Sequence, residues 1–442
     1  MNKIAVAGVG YVGLVTGVCL AEKGQQVTCV DTDSQRISQL NQGTPTIYEP
    51  GLQALLHKNI AANRLTFTTM AKEAYIDADV IFICVGTPEQ ADGSANLNYV
   101  YQVATTIAQY AKENALIVIK STVPIGTNEK LKEFFRAMGL GFEVASNPEF
   151  LAQGSAIRDT LAGHRIVLGV ESERAERLLK SVYAAFEQPF VVTDLASAEM
   201  VKYAANDFLA LKISFVNDIA NLCERVGANI EDVTKGIGYD PRIGNQFLRA
   251  GIGYGGSCFP KDTKALHWLA EEEGYILRTV KAAIDVNEKQ KYKLLQLAKQ
   301  EIDTFRGKKV AVLGLTFKPE TDDLRESPAL PNIQMLLAEG AEIRAYDPAG
   351  MERARVVLGE GVRFVNSAKE ALEQAEICFI FTDWAEMKAL TPNDFITEMR
   401  RPLIFDGRNC FDMDVMRAVP EIRYVSIGRP KTGVARSADM IL

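Results

Sequence analysis

The sequence predicts an α/β protein with a parallel-sheet domain at each end and a helical segment between them. Short apolar runs separated by helical patterns fill the first part, and the same alternation returns from about residue 307. Continuous apolar runs of this kind are typical of strands buried on both faces of a parallel sheet. No strand pattern occurs between residues 196 and 307. We therefore predict domains at residues 1–195, 196–300 and 301–442.

The first domain opens with the strand KIAVAG, a helix over residues 11–23 and a second strand, QVTCVD. Later apolar runs predict the strands ADVIFICVG, ALIVIKS, FEVASNP and RIVLGV. Helical patterns such as YVYQVATTIAQYAKE lie between them. This order is typical of crossover units in a parallel sheet.

The middle segment starts with a run, residues 196–227, that contains neither glycine nor proline until Gly227. It predicts one long helix, and because it is apolar nearly all round, we expect it to be buried on several sides. Further helices are expected over residues 230–235, 261–273 and 279–305. The last domain follows with GKKVAVLGLTFK, the helix NIQMLLAEG and the strands AEIRAYDP, AEICFIFTD and PLIFDGRN.

Composition excludes several classes of protein. The net charge of −7 argues against nucleic acid or an anionic membrane as a partner. The start, MNKIAVAGVGYVG, is not typical of a signal peptide, and no run predicts a membrane span. Seven cysteines are scattered singly and three histidines lie far apart, which predicts a cytoplasmic protein with reduced thiols and no metal site.

The stretch KIAVAGVGYVG predicts a dinucleotide site in a Rossmann domain. Gly8, Gly10 and Gly13 have the spacing G-x-G-x-x-G, with a strand before them and a helix after them. These glycines allow a tight turn, close approach of a pyrophosphate and close packing of helix on strand. Asp31 ends the second strand, where a carboxylate binds ribose hydroxyls and repels a 2′-phosphate, so NAD is favoured over NADP. Arg36 is interpreted as an adenine-side contact rather than a phosphate ligand.

The last domain lacks this fingerprint. VLGLTFKP contains Gly314 but has no second glycine two positions later. It therefore predicts a Rossmann-like domain that binds a nucleotide but not a dinucleotide, and it suggests a nucleotide-bearing substrate.

Two polar features interrupt the apolar middle segment. Lys202 and Asn206 are four residues apart and so share one helix face. Cys258 in GGSCFPKD precedes Pro260, which suits the first turn of a helix, so the thiol would lie at a helix N-terminus that stabilises a thiolate. On spacing alone, Cys258 is equally a small residue at a tight turn and a nucleophile.

Taken together, these motifs resemble the nucleotide-sugar 6-dehydrogenases. The resemblance covers the whole chain and rests on GVGYVG, CVGTP, STVPIGT, NPEFL, KYAANDFLALKISFVNDIA, GYGGSCFPKD and GLTFKPETDDLRESP, in that order. It implies a Rossmann domain, a central helical spine with one long helix at a homodimer interface, and a C-terminal UDP-binding domain. It also implies an NAD-dependent four-electron oxidation, with UDP-glucose favoured over UDP-N-acetylmannosamine or GDP-mannose.

The resemblance implies a role for each residue of the catalytic cluster. Cys258 is the nucleophile that forms a thiohemiacetal and then a thioester. Lys202 stabilises alkoxide and oxyanion states together with Asn206, and Asp262 assists proton transfer through water. Glu149 serves hydrolysis of the thioester, and Thr122 positions water.

The resemblance also implies ligand contacts. For NAD it adds Val12, Thr87, Thr122, Gln153, Lys261 and Arg325 to the glycines, Asp31 and Arg36. For the UDP-sugar it implies Glu149, Phe150, Leu151, Ala152, Gln153, Lys202, Asn206, Phe247, Leu248, Arg249, Ala250, Gly251, Gly255 and Lys318, with Arg242 reaching substrate across the dimer. One departure is Gln153, where the family often has Glu, which puts that cofactor contact in doubt.

Two other classes compete with this interpretation. A two-electron hydroxyacid dehydrogenase shares the first domain and the helical spine but needs neither Cys258 nor residues 301–442. A non-catalytic dinucleotide sensor would not need the whole polar cluster.

Overall fold

The computed structural model describes residues 2–430, which fall into two units. The first unit holds the residues up to Asn206 together with Lys264–Ile276, and the second holds Asp207–Thr263 and the residues from Leu277 onward. No helix in this described part of the chain is long and apolar enough to cross a membrane. The division into three domains stays a proposal.

The first unit is built on an eight-stranded sheet with the order β3-β2-β1-β4-β5-β6-β7-β8. Its strands are β1 (Lys3–Ala7), β2 (Gln26–Val30), β3 (Leu65–Thr68), β4 (Val80–Ile83), β5 (Leu116–Ile119), β6 (Glu143–Ser146), β7 (Ile166–Gly169) and β8 (Phe190–Thr193). The first six strands are parallel and have the order of dinucleotide-binding sheets. The join from β6 to β7 is antiparallel, through the pair Ser146–Gly169.

Helices cover this sheet: α1 (Tyr11–Glu22), α2 (Ser34–Asn41), α3 (Leu52–Ala61), α4 (Ala71–Tyr75), α5 (Asn98–Tyr110), α6 (Thr127–Ala137), α7 (Ala156–Leu161) and α8 (Glu173–Val182). All four residues of β4 and of β5 are buried, as their apolar runs predict. Helix α5 buries Val100, Ala104 and Ile107, whose spacing places them on one face.

Five helices form the middle segment: α9 (Leu195–Val226), α10 (Ile230–Gly238), α11 (Phe259–Glu272), α12 (Arg278–Gln290) and α13 (Lys293–Ala298). The predicted single helix over residues 279–305 is wrong, because α12 ends at Gln290 and α13 begins at Lys293, with two residues between them. At this break the Lys291 carbonyl accepts a hydrogen bond from Asn332 Nδ2 at 2.8 Å. The Lys291 ammonium donates to Glu288 of α12 at 2.8 Å and to Glu326 at 2.6 Å, so Lys291 is also held by a residue outside the two helices.

The long helix α9 confirms the uninterrupted run and its burial on several sides, but one face of the helix is exposed. Phe208, Phe215 and Leu222 are 62%, 54% and 53% exposed. They recur every seven residues and therefore form one stripe, which we call the α9 stripe.

The second unit carries a six-stranded parallel sheet with the order β11-β10-β9-β12-β13-β14. Its strands are β9 (Lys309–Leu313), β10 (Glu342–Tyr346), β11 (Val362–Phe364), β12 (Ile377–Ile380), β13 (Leu403–Asp406) and β14 (Arg423–Ser426). Its helices are α14 (Ala329–Ala338), α15 (Met351–Leu358), α16 (Ala368–Leu372), α17 (Ala385–Lys388), α18 (Pro392–Glu398) and α19 (Met413–Arg417), with a 3-10 turn at Gly359–Gly361. Phe379 stacks on Phe381 and Phe405 in its core. The winding matches that of the first six strands of the other sheet, so the predicted α/β fold is confirmed.

Candidate active site

The loop between β1 and α1 has the geometry that a bound pyrophosphate requires. Gly8 has a φ of +90°, and a side chain on Gly13 would meet the Gly8 carbonyl oxygen at 1.8 Å. A side chain on Gly10 would meet nothing within 4 Å. Gly8 and Gly13 thus serve the turn and the packing, while Gly10 and Val12 at the start of α1 border open space beside the helix amides.

Asp31 lies at the end of β2 beside this loop. Its carboxylate accepts from the Val9 amide at 2.9 Å and from the Asp33 amide at 3.0 Å. The Arg36 guanidinium lies 3.3 Å away, and the Asp31 side chain keeps 13% exposure. The carboxylate is held in place at the surface, as recognition of ribose requires.

Two further predicted cofactor residues meet at the carboxyl ends of neighbouring strands. Thr87 follows β4, Thr122 follows β5, and the Thr87 hydroxyl donates to the Thr122 carbonyl at 2.8 Å. This edge of a parallel sheet is where such folds bind ligands.

Glu149 and Lys202 form a buried ion pair. The Lys202 ammonium donates to Glu149 Oε1 at 2.8 Å, and the side chains of Lys202 and Glu149 are 3% and 5% exposed. The other Glu149 oxygen accepts from the Leu151 amide at 2.7 Å. The Lys202 ammonium also lies 5.5 Å from the Phe150 ring centre. Asn206 follows on α9 one turn later and is 7% exposed.

The loop that carries Ala152 and Gln153 is fixed by acids that the sequence did not single out. The Ala152 amide donates to Asp159 at 3.1 Å, and the Gly154 amide donates to Glu49 at 2.8 Å. Glu49 also accepts from the Tyr11 hydroxyl. No sequence signal marks Glu49, which follows a turn between α2 and α3.

Lys120, at the end of β5, is a second buried lysine that sequence reasoning missed. Its ammonium donates to Asn147 Oδ1 at 3.0 Å and to the Tyr183 hydroxyl at 3.3 Å. Burial is the main reason why its pKa lies below the ordinary value, while the charge of Glu149 raises that pKa. Its place beyond a buried strand could have marked it.

Glu199 lies on α9, one turn before Lys202, and holds this part of the helix in place. It is 3% exposed and accepts from the Gly126 and Asn128 amides at 2.6 and 2.8 Å. Because these amides belong to the first turn of α6, the carboxylate ties α9 to that helix end.

In the second unit, Cys258 directly precedes α11 and is partly exposed. Its carbonyl accepts from the Asp262 amide at 2.8 Å, so the thiol lies at the first turn of the helix. Arg325 lies close enough for the two groups to interact electrostatically. A helix N-terminus and a nearby cation both favour a thiolate.

The other six cysteines have a different environment. Burial raises the pKa of Cys19 and Cys84 to about 12 and moves the pKa of the other four in the same direction. These six thiols therefore stay protonated near neutral pH and are poor nucleophiles.

The glycines before Cys258 pack against the other motif of the second unit, GLTFKPETDDLRESP. Side chains on Gly255 and Gly256 would meet the Glu326 carbonyl oxygen at 2.3 Å and the Phe317 ring at 2.7 Å. The Gly256 amide donates to the Arg325 carbonyl at 2.8 Å. Both motifs thus form one surface, which also includes Lys318.

Charged groups flank Cys258. The Lys261 ammonium donates to Asp262 Oδ1 at 2.6 Å, and Asp262 is 1% exposed. The Arg325 guanidinium binds Asp323 through two nitrogens, at 2.9 and 2.6 Å. Sequence reasoning missed Asp207, a buried acid whose charge interacts with that of Asp262.

The predicted substrate loop, Phe247 to Gly251, is held from two sides. The Gly251 amide donates to Asn217 at 2.8 Å, and its carbonyl accepts from Gln290 at 2.7 Å. Arg249 binds Asp383 at 2.9 Å, Leu248 and Ala250 are buried, and Phe247 has a φ of +64°. A non-glycine residue in this conformation is uncommon and marks a constrained loop.

Arg408 is a further residue of this region that sequence reasoning missed. It follows β13, and its guanidinium donates to the carbonyls of Phe381, Phe317 and Gly253 at 2.8, 2.8 and 3.3 Å. It therefore joins the loop before Cys258 to the loop after β9. Arg242, in contrast, is 87% exposed and binds only Asp240 among the described contacts.

The loop after β9 resembles the glycine loop of the first unit but is closed. Gly314 has a φ of +88°, like Gly8. Asp347, after β10, accepts from the Leu315 and Thr316 amides at 2.7 and 3.0 Å and is fully buried. Its carboxylate is inaccessible to a ribose, which agrees with the absence of a second dinucleotide fingerprint.

The geometry of the first unit defines a dinucleotide-binding domain, and comparison with known proteins gives the family. Three family models match: the UDP-glucose/GDP-mannose dehydrogenase NAD binding domain at residues 2–187, its central domain at 196–289 and its UDP binding domain at 311–413. The chain belongs to this family of dehydrogenases. The predicted family and the predicted cofactor, NAD, are confirmed.

Individual relatives extend over nearly the whole chain. UDP-glucose 6-dehydrogenase TuaD of Bacillus subtilis (strain 168) is 46% identical over 99% of this chain and 96% of its own. A solved UDP-glucose dehydrogenase from Pyrobaculum islandicum has a TM-score of 0.89 at 40% identity, covering 98% of this chain and 97% of its own. A UDP-D-ManNAc dehydrogenase from Pyrococcus horikoshii has a TM-score of 0.85 at 29% identity, covering 96% and 99%.

Proposed function

We propose that this protein is an NAD-dependent UDP-glucose 6-dehydrogenase that forms UDP-glucuronate. The observation that carries the proposal is the 46% identity with TuaD over 99% of this chain. The UDP-D-ManNAc dehydrogenase of Pyrococcus horikoshii is less similar, at 29% identity against 40% for the UDP-glucose dehydrogenase of Pyrobaculum islandicum. Glucose is therefore the preferred sugar of the proposal.

The first unit fits the cofactor. Open space at Gly10 lies beside the first amides of α1, and Asp31 keeps an accessible carboxylate at the end of β2. In the proposal the helix end binds the pyrophosphate and Asp31 binds the ribose. NAD, when bound, accepts the hydride that leaves the sugar carbon in each oxidation.

In this proposal Cys258 makes the second oxidation possible, because an aldehyde must become tetrahedral before it can lose a hydride. The first oxidation removes a proton and a hydride from the CH2OH group and leaves an aldehyde. The Cys258 thiolate adds to the aldehyde carbon, and this C–S bond gives a tetrahedral thiohemiacetal whose hydrogen can leave as hydride. The resulting thioester is attacked by water, which breaks the C–S bond and releases the carboxylate and the thiol.

The remaining polar groups carry charge and protons in this proposal. Lys202 and Asn206 stabilise the alkoxide and the two oxyanions, because an ammonium and an amide can both donate to oxygen. Glu149, paired with Lys202, accepts a proton from the attacking water, while Thr122 positions that water. Asp262 takes part in proton transfer at the sulfur end of the reaction.

The decisive experiment measures stoichiometry. The wild type should form two NADH for each UDP-glucose and release no aldehyde. Cys258→Ser should bind both ligands but fail at full turnover, because a serine hydroxyl is a much weaker nucleophile near neutral pH. Cys410→Ser is the matched control, since Cys410 is also partly exposed and should tolerate the change.

Two results would refute the assignment. One is a single NADH for each sugar with free aldehyde, and the other is wild-type turnover by the Cys258 variant. A panel of UDP-glucose, UDP-N-acetylmannosamine and GDP-mannose with NAD tests the sugar separately. A higher kcat/KM for either of the other two would overturn the choice of glucose.

We further propose that the enzyme is a cytoplasmic homodimer joined through α9. Support for the dimer comes from the α9 stripe, whose exposed Phe208, Phe215 and Leu222 would be covered by the same stripe of a second copy. Arg242 is proposed to reach the substrate of that copy. Seven free cysteines support a reducing compartment.

A further inference from the structure

The side chain of one buried acid in the second unit makes no hydrogen bond to any described residue. Asp207 lies on α9 and is 4% exposed, and neither of its carboxyl oxygens has a hydrogen-bond partner within residues 2–430. A buried polar group without a partner is costly, and an ionised one is more costly still. The proposed reaction gives Asp207 no role, so its presence needs another explanation.

A second acid lies near Asp207 and has what Asp207 lacks. Asp262, on α11, is 1% exposed and accepts a hydrogen bond from the Lys261 ammonium at 2.6 Å. Two carboxylates in one buried region repel each other, so both do not ionise readily. Because Asp262 accepts a hydrogen bond from the Lys261 ammonium and the Asp207 carboxyl accepts none from a described residue, Asp207 is the member of this pair that holds a proton.

Tyr254 is a second titratable group in this region, but it does not ionise in place of Asp207. Tyr254, on the loop before Cys258, has its pKa raised to about 12, first by burial and then by the charges of Asp207 and Glu288, and its phenol stays neutral at the pH of the reaction. Its backbone amide and carbonyl are both bound by Asn287, so the loop is fixed. The charged group that acts on Asp207 is Asp262, which is itself paired with Lys261.

We propose that Asp207 is a positioning residue that acts through Asp262, leaving the Asp262–Lys261 ion pair undisturbed while neutral and repelling the Asp262 carboxylate once ionised. The inference rests on the proposed function, which assigns proton transfer to Asp262. Burial, followed by the charge of Asp262, raises the pKa of Asp207 to about 8. The change therefore falls in the mildly alkaline range.

The test compares Asp207→Asn with the wild type. Asparagine has the same shape and remains neutral at every pH. The ratio of kcat for the variant to kcat for the wild type should be flat below about pH 7 and should rise at least about tenfold by about pH 10, with a midpoint near the pKa of about 8. Asp232→Asn, an exposed change on α10, is the matched control and should give a flat ratio.

A second measurement does not depend on turnover. Infrared difference spectra of the wild type, taken between about pH 6 and about pH 10, should lose a protonated carboxyl band that Asp207→Asn lacks. A flat kcat ratio across this range, or the absence of that band, would overturn the inference. If UDP-glucose gives no NADH at any pH, the proposed function fails, and the infrared spectra still decide whether Asp207 holds a proton.

Discussion

Replacing Asp207 with Asn should stabilise the fold by an amount that grows with pH. The pKa of Asp207 is raised from 3.8 to about 8 because the side chain is buried and lies near the charge of Asp262. The folded state therefore keeps a proton that the unfolded chain releases above pH 3.8. This contribution to stability is fully present below the unfolded pKa and is lost as pH rises through the folded pKa.

Each pKa unit corresponds to about 1.4 kcal/mol, so the raised pKa of Asp207 lowers the stability of the wild type by about 2 kcal/mol at about pH 5 and by about 5 kcal/mol at about pH 8. Asparagine carries no such cost. The advantage of the variant should grow by about 3–4 kcal/mol between these two pH values. For a unit of this size that corresponds to an increase of roughly 10 °C in the Tm difference.

Differential scanning calorimetry of both proteins at several pH values measures this growth. A pH-independent effect of the asparagine amide on stability cancels, because the experiment compares only how the Tm difference between the two proteins changes with pH. A Tm difference that stays constant between about pH 5 and about pH 8 would refute the reasoning, since it would mean that Asp207 titrates alike in the folded and unfolded chain.

Three further outcomes are expected. Lys202→Ala should lower kcat at least about a hundredfold and destabilise the fold by about 3–5 kcal/mol. Adding Glu149→Gln to this variant should restore stability without restoring turnover. A wild-type kcat in Lys202→Ala would show that Lys202 has only a structural role. Asp31→Ser should narrow the preference for NAD over NADP in kcat/KM, and a wild type that used NADP equally well would contradict the role of Asp31. Phe215→Glu should shift the protein to a monomer in sedimentation, whereas Val356→Glu, at an 87% exposed valine away from the stripe, should not.

Motif spacing predicted the parts of the site that depend on local backbone geometry. Gly8 and Gly13 are required by the turn and by helix packing, and both requirements can be read from three glycines between a strand and a helix. Cys258 could be placed at a helix start because Pro260 follows it. Such features depend on a few neighbouring residues.

Features that depend on distant contacts could not be predicted from the motifs. Glu49 holds Gly154, which is more than a hundred residues away, and nothing in its own neighbourhood indicates this. The lack of a described hydrogen-bond partner at the Asp207 carboxyl could not be predicted either, because it depends on which groups of α11 lie near α9. Arg408 is intermediate, since its place after a predicted strand was a usable signal.

The long helix gives a third case, in which the sequence pattern indicates burial but does not show which surface covers the helix. An apolar surface nearly all round a helix predicts burial, yet Phe208, Phe215 and Leu222 are exposed in the single chain. Their spacing of seven residues is that of a seam between two helices. Burial by a second copy would satisfy the same pattern that burial within one chain does not.

The two sheets share a winding but differ in what they leave open for a ligand. In each, a glycine with positive φ follows the first strand, and an aspartate after the second strand accepts an amide from that loop. Asp31 remains partly exposed, whereas Asp347 is fully buried and also accepts from the Trp384 ring nitrogen at 3.1 Å. The Asp347 carboxylate thus satisfies buried hydrogen-bond donors of the protein itself, whereas the Asp31 carboxylate stays accessible to a ribose. This difference is the reason why we assign a dinucleotide site to the first sheet and none to the second.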